Sequence, residues 1–219
     1  YTSEQAIRDA LVEQLRQGHR QGRKSIVVGH HPLDSEGSHG GHFDFDHHLF
    51  PLRMVAAYVP FYMEWLPLPI MGTAIMQYRA CCSPSAQDMS HRRNEHMRAA
   101  LSVAMAKAER EGYGPLLFAA GHDHTLQVFK GERGPKYTAV SGLGSSHKAS
   151  PVGSNRRTLF AHSNPFRPGL MMVDFHRDGS VRLSVIQKTG DAEEGEETFT
   201  MLLTDPPGGG DSKAVVGGR

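Results

Sequence analysis

Two short apolar runs that each end in Gly-His constrain the fold of this 219-residue chain more than any other feature. The first run is "SIVVGHH" at residues 25–31, and the second is "LLFAAGHDH" at residues 116–124. Apolar runs of this length that are bounded by glycine are typical of buried strands. Between them, residues 89–111 carry an apolar stripe at helical spacing. This order predicts a βαβ unit, in which the two strands are parallel.

The histidines that follow these strands are the candidate functional residues. Parallel strands place their carboxyl ends at one edge of the sheet, so His30, His122 and His124 are expected to converge there. In an extended segment, residues i and i+2 point to the same side, which suits two ligands in one site. A histidine at a strand end is also commonly an ordinary polar loop residue. From the spacing alone, a metal site and a polar loop both remain open.

Composition narrows the chemistry. The net charge is +1, and lysine and arginine form no basic stripe, so nucleic acid is not an expected partner. The two cysteines, Cys81 and Cys82, are adjacent and match no zinc motif. A metal site in this chain would therefore consist of histidine and carboxylate ligands, which suit transition metals.

Hydrophobic periodicity and turn residues predict the remaining elements. Residues 2–17 form an amphipathic helix that Gly18 ends. The sequence also predicts strands at 125–130 and 137–140, and a hairpin of 170–175 with 181–186 across an Asp-Gly turn. Residues 1–189 are expected to form one domain with a long irregular insertion at about 40–88, and 190–219 an acidic, then Gly/Pro-rich, disordered tail.

The middle of the insertion, Phe50–Tyr78, is strongly apolar and is broken by four prolines. These prolines make a membrane-spanning helix improbable. Three interpretations remain: a lid over the substrate entrance, a surface that docks on a membrane or apolar substrate, or an oligomer contact. We favour the lid. Loss of liposome co-sedimentation on Trp65→Ala and Leu66→Ala would favour membrane docking instead.

Three motifs together resemble a known family. "VVGHHPL" with "SHG", then "AGHDHTLQ", and then "YTAVSGLGS" are similar to the C-terminal half of the calcineurin-like metallophosphoesterases, with the purple and tartrate-resistant acid phosphatases nearest in pattern. The resemblance covers about residues 25–40 and 114–186. It implies an α/β fold that forms the C-terminal part of a layered α/β/β/α sandwich with a mixed sheet. It also implies hydrolysis of a phosphomonoester or phosphodiester substrate at a dinuclear centre of Fe, Mn or Zn ions.

The resemblance also implies roles for individual residues. His30 and His122 would bind one metal ion of the pair, and His124 would bind the other. His39, in "SHG", would lie near the substrate phosphate and protonate the leaving alcohol, with a solvated loop residue as the alternative. His31 matches a variable position and is expected to lie in the loop or behind the ligands.

The sequence departs from the family in one important respect. The family's other ligands come from D-x-H, G-D-x-x-D and G-N-H blocks of an N-terminal half, and none is present here in a matching context. The start at Tyr1 favours a fragment over a degenerate relative. The isolated chain is therefore expected to be nearly inactive. The alternative function is that of an inactive relative that acts as a binding module, with membrane association through the apolar insertion.

Overall fold

The computed structural model describes residues 3–144, 149–162, 167–188 and 194–204. The helices are α1 (Glu4–Arg20), α2 (Phe45–Leu49), α3 (Pro69–Cys82) and α4 (Arg92–Arg110). The strands are β1 (Ile26–Gly29), β2 (Leu117–Ala120), β3 (Leu126–Lys130), β4 (Tyr137–Ser141), β5 (Thr158–Ala161), β6 (Gly169–Phe175), β7 (Val181–Lys188) and β8 (Gly195–Thr204). Short 3-10 turns occur at Ser38–Gly40, Pro51–Tyr58 and Phe61–Met63.

The strands form two sheets, and the fold is mixed α/β as expected. The five-stranded sheet has the order β1-β2-β4-β3-β5. β1, β2 and β4 are parallel, whereas β3 is antiparallel to both of its neighbours. The predicted βαβ unit is confirmed, because β1 pairs with β2 in parallel and Gly29 lies opposite Ala120. The second sheet, β6-β7-β8, is antiparallel and contains the predicted hairpin.

Neighbouring side chains of β2, the second strand of the five-stranded sheet, pack on opposite faces of that sheet. Phe118 of β2 belongs to a buried cluster with α1 and α4, which includes Val12 and Met105. Its neighbour Leu117 belongs to a second cluster, in which Val185 and other residues of β7 and β8 take part. The five-stranded sheet therefore lies between a layer of helices and the three-stranded sheet.

The first helix extends further than its sequence predicts. Ser3 caps α1 by accepting a hydrogen bond from the amide of Ala6, and Thr2 lies outside the described residues. Gly18 was expected to end the helix, but α1 continues to Arg20. The chain turns instead at Gly22, whose φ of +67° favours glycine. The predicted boundary at Gly18 is therefore wrong.

The insertion contains regular structure that was not expected. Residues 69–82 form α3, with Pro69 in the first turn, where the missing amide hydrogen costs little. Met76 of α3 is buried, but Tyr58, Phe61 and Ile70 are among several large apolar side chains that remain exposed. In the part of the chain that the structure describes, no helix is both long and apolar enough to cross a lipid bilayer.

The tail prediction is wrong for residues 195–204, which form β8. Phe199, Met201 and Leu203 alternate along this strand and are buried against β7. This alternation outweighs the acidic residues that precede it, because every second side chain enters the core. Residues 205–219 lie outside the described part of the chain.

Candidate functional site

His30 and His122 meet at the carboxyl ends of β1 and β2. The amide of Gly121 donates a hydrogen bond of 3.2 Å to the carbonyl of His30, which continues the contact between the two strands by one residue. Beyond it, His30 Nε2 lies 3.1 Å from His122 Nδ1. The structure therefore brings these two side chains together, as the strand order predicts. The parallel register of β1 and β2 places them there.

The main chain of the insertion fixes the tautomer of His122. His122 Nε2 lies 2.7 Å from the carbonyl oxygen of Gln87. A carbonyl oxygen only accepts hydrogen bonds, so Nε2 carries the proton and Nδ1 keeps its lone pair. In the metal-free protein, His30 Nε2–H then donates to His122 Nδ1. A ring whose other N–H donates to a backbone carbonyl is the usual arrangement of a metal-binding histidine.

His31 joins this pair, although the family resemblance predicts that it lies in the loop or behind the ligands. Its ring centroid lies 4.1 Å from that of His122 and 4.9 Å from that of His30. Each of the three histidines offers a ring nitrogen, and these nitrogens lie within 4.8 Å of one another. His31 Nε2 is buried and has no hydrogen-bond partner among the described residues. The doubled histidine directly after a strand was the available sequence signal.

His124 does not take part in this cluster and is exposed. The expectation that His122 and His124 point to the same side required an extended chain, and the chain turns here instead. His122 has a φ of +64°, and the amide of Asp123 donates to the carbonyl of Gly121 at 2.8 Å. The same-side geometry is therefore wrong, and a metal-binding role for His124 stays a prediction.

One further contact holds the turn at His122. Asp123 is fully buried, and one of its carboxylate oxygens accepts a hydrogen bond of 2.7 Å from the hydroxyl of Ser35. A non-glycine residue in the left-handed region costs roughly 1–3 kcal/mol, and such residues cluster at functional sites. The buried carboxylate and its partner thus stabilise a conformation that aims the His122 ring at His30.

The surroundings favour neutral imidazoles at this site. Burial lowers the pKa of His122 below its ordinary value, and the hydrogen bond to the Gln87 carbonyl offsets this only in part. Burial also lowers the pKa of His31, and the neighbouring rings of His122 and His30 lower it further. A histidine must be deprotonated to bind a metal ion, so these shifts favour binding near neutral pH.

His39, the predicted acid, lies beside the same cluster. Its ring centroid is 4.9 Å from that of His122. Its Nδ1 lies 3.0 Å from Oδ1 of Asp88, whose side chain is only 2% exposed. No sequence signal marks Asp88, because 49 residues of chain separate it from His39 and no motif connects the two.

The donor set fits one metal ion better than two. Three imidazoles suit a single zinc or similar transition-metal ion. Two nitrogens that each bind one zinc ion at about 2.0–2.1 Å can lie 3.1 Å apart, which is the distance between His30 Nε2 and His122 Nδ1. Among residues 3–144, 149–162, 167–188 and 194–204, no carboxylate belongs to this cluster. The expected dinuclear centre is thus not completed by these residues.

Comparisons with known proteins add little to this geometry. No protein-family model matches the chain, and no curated protein matches it. Among solved structures, the chain is similar to GAP50, the anchor in the inner membrane complex of Plasmodium. The identity is 18%, the match covers 47% of this chain and 30% of that chain, and the TM-score is 0.34. The chain thus spans less than a third of that protein, and a likeness of this size carries no argument.

Proposed function

We propose that this chain supplies the histidine-rich side of a metal-dependent phosphoester hydrolase. The observation that carries the proposal is the 3.1 Å approach of His30 Nε2 to His122 Nδ1 at the carboxyl ends of two adjacent parallel strands. His31 adds a third donor, because one of its ring nitrogens lies within 4.8 Å of those of His30 and His122. The family resemblance of the surrounding motifs supports phosphoesters as the substrate class.

Each residue then has a distinct task in hydrolysis. A metal ion at this site would lower the pKa of a bound water and offset the negative charge of the phosphoester. His30, His31 and His122 hold the ion, and the Gln87 carbonyl keeps the proton of His122 on Nε2. His39, beside His122, donates a proton to the leaving alcohol.

The dinuclear centre and the complete sandwich belong to the same proposal. A second ion would use His124 together with carboxylate ligands, which the cluster of His30, His31 and His122 does not contain among the described residues. The chain by itself should then bind one ion and hydrolyse phosphoesters only weakly. The outward side chains Leu170 and Met172 of β6 are exposed, as expected of a sheet face that another layer covers in an α/β/β/α sandwich.

Metal-dependent binding of a phosphomonoester analogue tests the substrate class without requiring turnover. Phenylphosphonate should bind to the zinc-loaded chain in a calorimetric titration, because the ion attracts its phosphonate oxygens. His122→Ala should abolish this binding, whereas His96→Ala, at an exposed position on α4, should leave it unchanged. Equal binding to metal-free protein, or to the His122→Ala variant, would contradict the proposal.

A further inference from the structure

Asp88, at the end of the insertion, lies at the centre of a hydrogen-bond network around His39. Oδ1 of Asp88 faces Nδ1 of His39 at 3.0 Å and accepts from Nη2 of Arg79 at 2.6 Å. Oδ2 accepts from Nε of Arg79 at 2.8 Å and from the hydroxyl of Ser83 at 2.6 Å. The two bonds from Arg79 form a bidentate pair, which fixes the plane of the carboxylate as well as its position.

The network keeps Asp88 ionised. Burial raises the pKa of this carboxyl, but hydrogen bonds from His39, Arg79 and Ser83 outweigh burial and hold the pKa well below its usual range. A carboxylate in this state only accepts hydrogen bonds. His39 Nδ1 must therefore carry a proton whenever this contact is formed.

The backbone holds His39 in the same place from a second direction. The amide of Met89, the residue after Asp88, donates a hydrogen bond of 2.8 Å to the carbonyl of His39. The residue before Asp88 is Gln87, whose carbonyl accepts from His122 Nε2. The last two residues of the insertion and the residue that follows them thus contact the two histidines for which we propose catalysis and metal binding.

We infer that Asp88 is a positioning residue for His39, and that the insertion supplies it. Asp88 accepts a hydrogen bond from Nδ1–H of His39, so that Nε2 is the ring nitrogen left to donate a proton to the substrate. Arg79 and Ser83 keep the carboxylate in place. The inference rests on the proposed function and deepens it, because it assigns a task to the end of the insertion.

Imidazole ¹⁵N NMR on the whole chain tests the position of the proton directly. At pH 9, the ¹⁵N shifts should show the proton of the His39 ring on Nδ1, which faces Asp88, and not on Nε2. A His39→Gln variant assigns the signals by their loss. In Asp88→Asn, the ratio of the Nδ1–H to the Nε2–H form should fall at least tenfold.

A matched control separates loss of the contact from loss of an ion pair in general. Asp174 pairs with Arg182 at 3.6 Å in the second sheet, so Asp174→Asn should leave the His39 signals unchanged. If Asp88→Asn does not fold, the unaltered protein still decides the question. A His39 ring with its proton on Nε2, or a ratio unaffected in folded Asp88→Asn, would overturn the inference.

Kinetics tests the inference in a form of the protein that hydrolyses phosphoesters. Asp88→Asn should lower kcat for alkyl phosphates at least tenfold more than for aryl phosphates, with KM unchanged, and His39→Ala should give the same pattern. Alkyl alcohols are poor leaving groups and depend most on a proton donor. An equal fall in kcat for alkyl and aryl phosphates would overturn the inference. Failure of the chain to bind metal would refute the proposed function and leave the NMR result valid.

Discussion

His122 combines an unusual backbone conformation with a side chain whose two ring nitrogens both have partners. Its left-handed φ turns the chain directly after β2, and its two ring nitrogens face His30 and the Gln87 carbonyl. Each contact comes from a different segment, so the ring is oriented by β1, β2 and the insertion together. Orientation from three directions is what a metal-binding histidine requires, because a small displacement of one nitrogen weakens the coordination.

A buried histidine away from the candidate site should make the stability of the fold sensitive to pH. His162 is 2% exposed, and its Nδ1 accepts a hydrogen bond of 3.2 Å from the amide of Leu126. Burial lowers the pKa of His162 in the folded protein. The unfolded chain, with a histidine pKa of about 6.5, then binds more protons at lower pH, so stability should fall as the pH falls below 6.5.

The variant His162→Gln should reduce this dependence. Urea titrations between pH 7.5 and pH 5.5 give the slope of the unfolding free energy against pH. In His162→Gln this slope should be smaller than in the unaltered protein by up to about 1.4 kcal/mol per pH unit. His96→Gln, at an exposed position on α4, serves as the control and should retain the original slope. Equal slopes in the two variants would show that His162 is not responsible.

At the scale of elements, the site depends on how closely β4 approaches the turn after β2. Gly142 follows β4, and its amide donates a hydrogen bond of 3.0 Å to the carbonyl of Thr125. A Cβ atom at Gly142 would overlap the carbonyl oxygen of Asp123, the residue after His122. The absence of a side chain at this position therefore allows the turn to take its observed shape.

The variant Gly142→Ala should displace this turn and weaken metal binding. We expect the affinity for zinc to fall tenfold or more in calorimetry, while circular dichroism shows the same content of helix and strand. Gly144→Ala is the matched control, because in the described part of the chain no atom beyond its chain neighbours lies within 4 Å of the position that its Cβ would occupy. Identical zinc affinities in the two variants would mean that β4 does not position the histidine turn.

The elements differ in how well the sequence predicted them, for physical reasons. β1 and β2 are short apolar runs bounded by glycine, and a parallel pair follows from their order along the chain. α3 was missed because its apolar residues form no clear stripe, Pro67 precedes it closely, and Pro69 is its first residue. β8 was missed because acidic residues lead into it, although its alternating apolar residues were a usable signal.

The site was predicted in part for similar reasons. The proximity of His30 and His122 follows from strand order, and the sequence carries that information. The position of His31 depends on the path of the loop after β1, and the turn at His122 depends on the buried carboxylate of Asp123. Asp88 reaches His39 only because α3 and the loop after it fold back over the strand ends. Such contacts depend on tertiary packing and have no local sequence pattern.

At the scale of the whole molecule, the five-stranded sheet brings together residues from two regions of the chain. The helices α1 and α4 cover one face, the three-stranded sheet covers the other, and the histidines lie at the edge between them. Open α/β sheets bind ligands at this edge, outside the carboxyl ends of their parallel strands. The end of the insertion completes the edge by contacting both His122 and His39.

Anomalous diffraction from crystals grown with zinc tests the central claim most directly. We predict one strong peak within bonding distance, about 2.0–2.1 Å, of both His30 Nε2 and His122 Nδ1. The peak should disappear in His122→Ala and persist in His96→Ala. A zinc peak elsewhere in the molecule with none between these two nitrogens, or no bound zinc at all, would contradict the assignment of this site and the function proposed from it.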